Sequence, residues 1–392
     1  MPRSRFDRLR PRLAGLAVLS LTATACVWPV PLPGDPVPTI DSIADWSAAD
    51  ATVTLTITTT DLDADRVWVF PAGLGAPAIG DDEAPFEIEV PAEQIPPGAA
   101  TVLVLAERNG TWIAENEPVP DVRCNGHVAL CTRPYDTVRT VTTHNAMSNS
   151  TDGWFGPNHH LDVPGQLAAG VRGLMLDTYR AGDLNGFGQV QVPGVDPDTP
   201  YLCHTFCSLG SQPLVEGLAE IRAFLDAEPG AVVTLILESY LSGPLTEGAF
   251  DAAGLTAEAY VHGGGAWPTL GELIDADTRL IVLTDDSADP AHPWLMNVWT
   301  HAFETHFSNS VPGDFSCVDN RGAPTNDLFI LNHFLTDLFG APELAEQVNH
   351  NPFLLDRIEE CEAFHSTAAT FVTVDFTSIG DVHTAVATLN GL

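Results

Sequence analysis

Seven points along this sequence place an ionisable or amide side chain directly after a short apolar, strand-forming run. "TVRTVTT" runs into His144-Asn145, "VRGLML" into Asp177, and "YLC" into His204. "VVTLIL" ends in Glu238, "RLIVLT" in Asp285-Asp286, "LFIL" in Asn332-His333 and "FVTV" in Asp375. Histidine titrates near neutrality, so His144 and His204 can serve as a general base and a general acid. Asn145, Asp177 and Glu238 form an all-oxygen set, the hard ligation that Ca²⁺ prefers and zinc does not. Two carboxylates and one amide would leave positions open for water and a substrate oxygen. Two proton carriers beside such a cation suit phosphoryl transfer, where charge must be neutralised while protons are exchanged.

The elements that must gather these residues follow from patterning. After "PVPDVRC", apolar runs of four to six residues alternate with helical segments such as "SQPLVEGLAEIRAFLDAEPG". In that segment Leu214, Leu218, Ile221 and Leu225 recur at helical spacing. Strand–helix alternation of this kind predicts a parallel sheet with helical crossovers. About seven such units over residues 121–392 predict a distorted TIM (β/α) barrel, whose C-terminal strand ends converge on one mouth. Residues 39–120 instead show short alternating runs ("ATVTLTITTT", "DRVWVF", "FEIEV") separated by Gly, Pro and Asp. They predict a small all-β, immunoglobulin-like sandwich, an accessory unit without a chemical cluster of its own.

Residues 1–25 read as a secretory signal, with an Arg-rich start, a short apolar core and a small-residue cleavage site. Cys26 follows Ala-Thr-Ala and resembles the acylated cysteine of a bacterial lipoprotein, although Ala23 replaces the usual aliphatic residue. The Pro-rich residues 26–38 read as a semi-rigid tether. The expectation is therefore an exported protein, anchored to the cell envelope through Cys26 or otherwise secreted.

The sixteen basic residues are all Arg, and five of them lie in the signal; one of the fifty-two acids lies there too. Eleven basic and fifty-one acidic residues remain. The absence of Lys excludes Schiff-base chemistry and a P-loop. So acidic a chain lacks the basic footprint that nucleic acid requires. Cys124, Cys131, Cys203, Cys207, Cys317 and Cys361 form an even set in an exported chain, which suggests three disulfides. Proximity favours 124–131, 203–207 and 317–361 among the fifteen possible connectivities.

Taken in order, "THNAMS", "QLAAGVRGLMLDTYR", "LCHTFCSLG", "LAEIRAFLDAEPGAVVTLILESY", "WPTLGELI", "LNHFL" and "FVTVDF" resemble the phosphatidylinositol-specific phospholipase C X-domain superfamily. The nearest group is its secreted, single-domain PLC-like phosphodiesterases. The resemblance runs from about Cys124 to Leu392, leaves the β-rich segment uncovered, and supports the 124–131 disulfide through "CNGHVALCTRPY". It implies a distorted TIM barrel that cleaves a phosphodiester. His144 would be the base for the inositol 2-hydroxyl, His204 the acid for the departing oxygen, and Asp375 the carboxylate that orients His144. The same resemblance places Asn145, Asp177 and Glu238 with the calcium-dependent members. Met175 departs from it, standing where those members carry a further carboxylate; a thioether cannot serve a hard cation.

Two rivals remain. A glycerophosphodiester phosphodiesterase shares barrel and histidines, but its His-Arg-Gly opening and Glu-x-Asp pair are replaced here by His-Asn-Ala and Met-Leu-Asp. A non-catalytic surface binding module would explain Met175 but not the retention of both histidines. The headgroup stays open between phosphatidylinositol, its glycosylated form and a soluble glycerophosphodiester. Outside the set, His159-His160 reads as solvated surface. Arg172 and Arg180 read as structural ion-pair formers, and Asn332 and His333 as borders of the pocket.

Overall fold

The computed structural model describes residues 38–392 except 183, 186–187, 190–194, 205–206, 287–288 and 338. The expected signal, Cys26 and all but the last residue of the tether lie outside the described residues.

Within residues 39–118 two antiparallel sheets face each other. One pairs Thr39–Ser47, Thr52–Thr60 and Phe86–Pro91, and the other pairs Ile79–Asp81, Arg66–Phe70, Thr101–Arg108 and Thr111–Pro118. Strand alternation sets the core: Val53, Leu55 and Ile57 are buried between threonines, opposite Val102, Val104 and Ala106. This unit attaches where the N–H groups of Ala48 and Ala49 donate to the Asp275 carboxylate, at 2.9 and 3.0 Å. Asp275 ends the helix Leu270–Asp275, which precedes the strand Leu280–Thr284, so the junction lies at the edge opposite that strand's C-terminal end.

The rest of the chain is mixed α/β around one curled sheet. Its hydrogen-bonded order is Leu295–Asn297, Leu280–Thr284, Val233–Ser239, Gly173–Arg180, Thr140–Thr143, Phe371–Val374, Leu328–Asn332, Ala302–Thr305 and Asp319–Arg321. Every pair along this path is parallel except the last. Among the described residues the path ends at Leu295–Asn297 and Asp319–Arg321 without pairing them, so the hydrogen-bonded sheet is curled rather than closed. The helix Leu214–Ala227 buries Leu214, Leu218, Ile221 and Leu225, the stripe read from the sequence. Side-chain alternation divides each strand between two cores. Leu174, Leu176, Leu235 and Leu237 pack outward with the helix residues Leu214 and Leu218. Met175, Ile236, Ile281, Leu283 and Ile330 pack inside the curl.

The "YLC" run corrects the sequence analysis. Pro200–Cys203 is not a parallel strand; it pairs antiparallel with the far end of Gly173–Arg180, with Leu202 opposite Thr178 and Tyr201 opposite Tyr179. A short apolar run carries no signature of strand direction, which is decided by hydrogen bonding in the folded sheet.

Three disulfides form, Cys124–Cys131, Cys203–Cys207 and Cys317–Cys361. They indicate an extracellular, oxidising setting. Among the described residues no helix is long and apolar enough to cross a membrane.

Candidate active site

The inward register carries the site. Glu238 lies beside Asp177 in the parallel pairing of their strands, one step past Leu237 and Leu176, which face outward. Asn332 extends the inward row of Ile330, and Asp375 follows outward-facing Val374. His144 follows Thr143, and its N–H donates to the Val374 carbonyl at 3.0 Å, continuing the ladder by one residue. Asn145 then takes φ +50°, a left-handed conformation that Asn adopts more readily than most residues. The chain turns there, with Ala146 donating to the Met175 carbonyl and Ser148 to that of Asn145. His204 arrives differently. Because Pro200–Cys203 runs back along the extension of Gly173–Arg180, its end descends toward the level of Asp177.

These routes bring the two imidazoles to one amide. Asn145 Nδ2 lies 3.1 Å from His144 Nε2 and 3.4 Å from His204 Nε2. An amide nitrogen only donates, so both Nε2 atoms present lone pairs to it. At the other edge of the His144 ring, Nδ1–H donates to Asp375 Oδ1 at 3.0 Å. The ring is held flat against Phe334, with centroids 3.9 Å apart and planes 7° from parallel. Burial, and then the neighbouring His144, push the His204 imidazole down to about 4, which favours its neutral form near pH 7.

Beside the histidines the charge is negative. Asp177 is raised well above the usual carboxylate range, first by burial and then by Glu238 and Asp285. Among the described residues no donor is bonded to its carboxylate. Glu238 Oε1 accepts the Tyr240 hydroxyl at 2.6 Å, and Asp285 Oδ1 accepts the Ser239 N–H at 2.8 Å. Burial and repulsion from Glu238 and Asp285 favour a proton on Asp177 or a positive charge beside it. Asn145 commits its Nδ2 to the imidazoles, which leaves Oδ1 as a hard donor. The donor chemistry thus fits Ca²⁺. Among the described residues, however, no three His, Cys, Asp or Glu converge into a ready cluster, so a cation held there would need further oxygen ligands, such as water.

A cavity of about 120 Å³ opens between these groups. Its walls include His144, Asn145, Asp177, Glu238 and Asp285, with Met175, Ile236 and Ile330 beneath. His204 and Asp375 are not part of this lining, but each contacts a residue that is, Asn145 and His144 respectively.

The opposite wall was not visible in the sequence. Glu304, 2% exposed, accepts from Arg321 Nε at 2.5 Å and from Asn332 Nδ2 at 2.9 Å. Arg321 lies over the rings of Trp299 and Phe307, at 4.4 and 4.7 Å. Glu304 sits inside a four-residue strand following a single helical turn, and Arg321 sits on an exposed three-residue strand. Neither follows an apolar run long enough to mark it.

Three other expectations change. Asn332 borders the cavity, but His333 does not: it is buried, bonded to the Val348 carbonyl and to Arg357, and pushed down to about 3. His160 is exposed as expected, whereas His159 is buried at 1% exposure. Arg180 pairs with Asp198, but Arg172 binds Asn125 and the carbonyls of Leu167 and Val171 instead of a carboxylate.

The PI-PLC X family model matches residues 130–390. The chain belongs to the PI-PLC X family. The PI-PLC X domain-containing protein 1 of Arthroderma benhamiae is 30% identical over 297 residues, covering 69% of this chain and 90% of that protein. A PI-PLC X domain-containing protein of Arabidopsis thaliana is 26% identical over 226 residues, covering 52% of this chain and 50% of its own length. Among solved structures, a Faecalibacterium prausnitzii β-glucuronidase is similar over 87% of this chain and 59% of its own, at 11% identity and a TM-score of 0.27. That score is too low to carry an argument. All six expected site residues fall within the PI-PLC X match, and the two antiparallel sheets lie before it.

Proposed function

We propose that this protein is an exported phosphodiesterase of the phosphatidylinositol-specific phospholipase C type, acting through His144 and His204 with Ca²⁺ assistance. The observation that carries this reading is the shared amide: His144, next to Asn145, and His204, 59 positions beyond it, both bring Nε2 to Asn145 Nδ2. Two proton-transfer atoms held at one amide that lines the cavity suit an in-line displacement at phosphorus. In this reading the curled sheet is a distorted TIM barrel, the N-terminal sheets are an accessory immunoglobulin-like sandwich, and Cys26 carries the lipid anchor.

His144 Nε2 takes the proton of the inositol 2-hydroxyl as that oxygen bonds to phosphorus. The bond from phosphorus to the diacylglycerol oxygen breaks, and His204 Nε2–H protonates that oxygen. The products are a cyclic inositol phosphate and diacylglycerol. Asp375 holds the His144 proton on Nδ1 and stabilises the imidazolium that forms. Burial favours neutral His204, so its acid role belongs to the complex, where an anionic phosphodiester favours its protonated form. Asn145, Asp177 and Glu238 would hold Ca²⁺, whose charge offsets that of the phosphate.

The decisive experiment measures release of cyclic inositol phosphate from phosphatidylinositol, with and without chelator, by wild type, His144→Ala and His204→Ala. The expected result is chelator-sensitive release lost by a factor of roughly 10² to 10⁴ in each variant. Wild-type release unaffected by either substitution removes the His/His mechanism. Cleavage of soluble glycerophosphodiesters alone favours the glycerophosphodiesterase rival. Tight lipid binding without any product, unchanged in His144→Ala, favours a binding module.

A further inference from the structure

Two adjacent residues of one loop hold both halves of the His144–Asp375 couple. The Asn158 Nδ2–H donates to Asp375 Oδ2 at 3.1 Å, and the Asn158 carbonyl accepts the Phe376 N–H at 2.9 Å. His159 Nε2–H donates to the main-chain carbonyl of His144 at 2.7 Å. The N–H groups of both residues bind the Ser148 carbonyl, at 2.9 and 3.0 Å, which ties the loop back to the turn beyond Asn145. Asn158 and His159 are 3% and 1% exposed, and the proton transfers assigned above use neither of them.

The geometry has a chemical consequence. A carboxylate can rotate about its terminal bond, and His144 needs its proton fixed on Nδ1 if Nε2 is to remain a lone pair. With Oδ2 held by Asn158, Oδ1 is presented to Nδ1–H. The Asp375 main chain is fixed as well, because its carbonyl accepts the Asn349 Nδ2–H at 2.8 Å. His159 does the same for the other partner by holding the peptide that carries the His144 ring. Burial pushes His159 down to about 4, so it stays neutral there. Space filling is a poor account of this pair. Among the described residues, Asn158 Oδ1 and His159 Nδ1 are buried without partners, a cost that apolar side chains of similar size would avoid.

We propose that Asn158 and His159 are positioning residues for the His144 base, Asn158 acting through Asp375 and His159 through the His144 main chain. The proposal rests on the reading of His144 as that base. The test is Asn158→Leu, which keeps the volume and removes the donor. Imidazole ¹⁵N shifts of the substrate-free protein report the His144 tautomer, and kinetics on phosphatidylinositol report turnover. Wild type is expected in the Nδ1–H tautomer, with the Nε2–H form appearing in the variant. We expect kcat to fall roughly ten-fold, a fraction of what a positioned base supplies, with KM within about two-fold. Adding Asn158→Leu to Asp375→Asn is expected to lower kcat no further. Should Asn158→Leu not fold, Asn158→Ser, too short to reach the carboxylate, gives the same reading. A folded variant with tautomer and kcat unchanged overturns the proposal. If the tautomer shifts but wild type cleaves no phosphodiester, the positioning stands and the phosphodiesterase reading falls.

Discussion

Asp177 and Glu238 lie side by side in the parallel register of their strands, where burial and mutual repulsion hold the Asp177 carboxyl well above its ordinary range. An acid raised in the folded state stabilises that state while protonated, and the contribution is lost as pH rises from the ordinary carboxylate range through the raised value. Chelated protein should therefore lose thermal stability over that interval, and Ca²⁺ should restore most at the high end. Asp177→Asn should flatten the pH dependence and abolish the Ca²⁺ response in the same melting curves. Met175 lines the same cavity, so Met175→Asp should tighten Ca²⁺ binding by about ten-fold in calorimetry, through one more hard ligand. No Ca²⁺-dependent shift in wild type or in either variant would remove the cation from the reading.

His159, His204 and His333 are each pushed down, to about 4, 4 and 3, chiefly by burial. Their contribution is complete above the unfolded value of about 6.5 and declines as pH falls toward the folded values. Each costs about 1.4 kcal/mol per pH unit of that gap, so urea midpoints should fall steeply between about pH 6.5 and 4. His333→Gln, which lies outside the cavity, should reduce that slope while leaving turnover near pH 7 intact. An unchanged slope would mean that these rings are not buried as neutral species.

Arg321 neutralises Glu304, which is otherwise buried with only amide donors for company. Arg321→Met should cost about 1–3 kcal/mol in chemical denaturation, because it strands a buried carboxylate. Arg321→Lys should recover only part of this, since an ammonium cannot lie flat between Trp299 and Phe307. The double variant with Glu304→Gln should be more stable than Arg321→Met alone. Additive losses would show that the two side chains do not depend on each other.

The sequence by itself determined which residues stand at strand ends. Each apolar run ends at a polar residue, and parallel strands joined by helical crossovers gather those ends at one mouth, which is how His144, Asp177, Glu238 and Asp375 could be read without coordinates. Motif order carried the family as well. Tertiary structure alone decided what pairing decides. The antiparallel return of Pro200–Cys203 delivers His204, a four-residue strand paired on both sides in the main sheet brings in Glu304, and long-range packing buries His159 rather than leaving it in solvent. The physical reason is that side-chain alternation is a local property of the backbone. Strand direction, closure and the burial of a loop depend on hydrogen bonds and contacts with partners far along the chain.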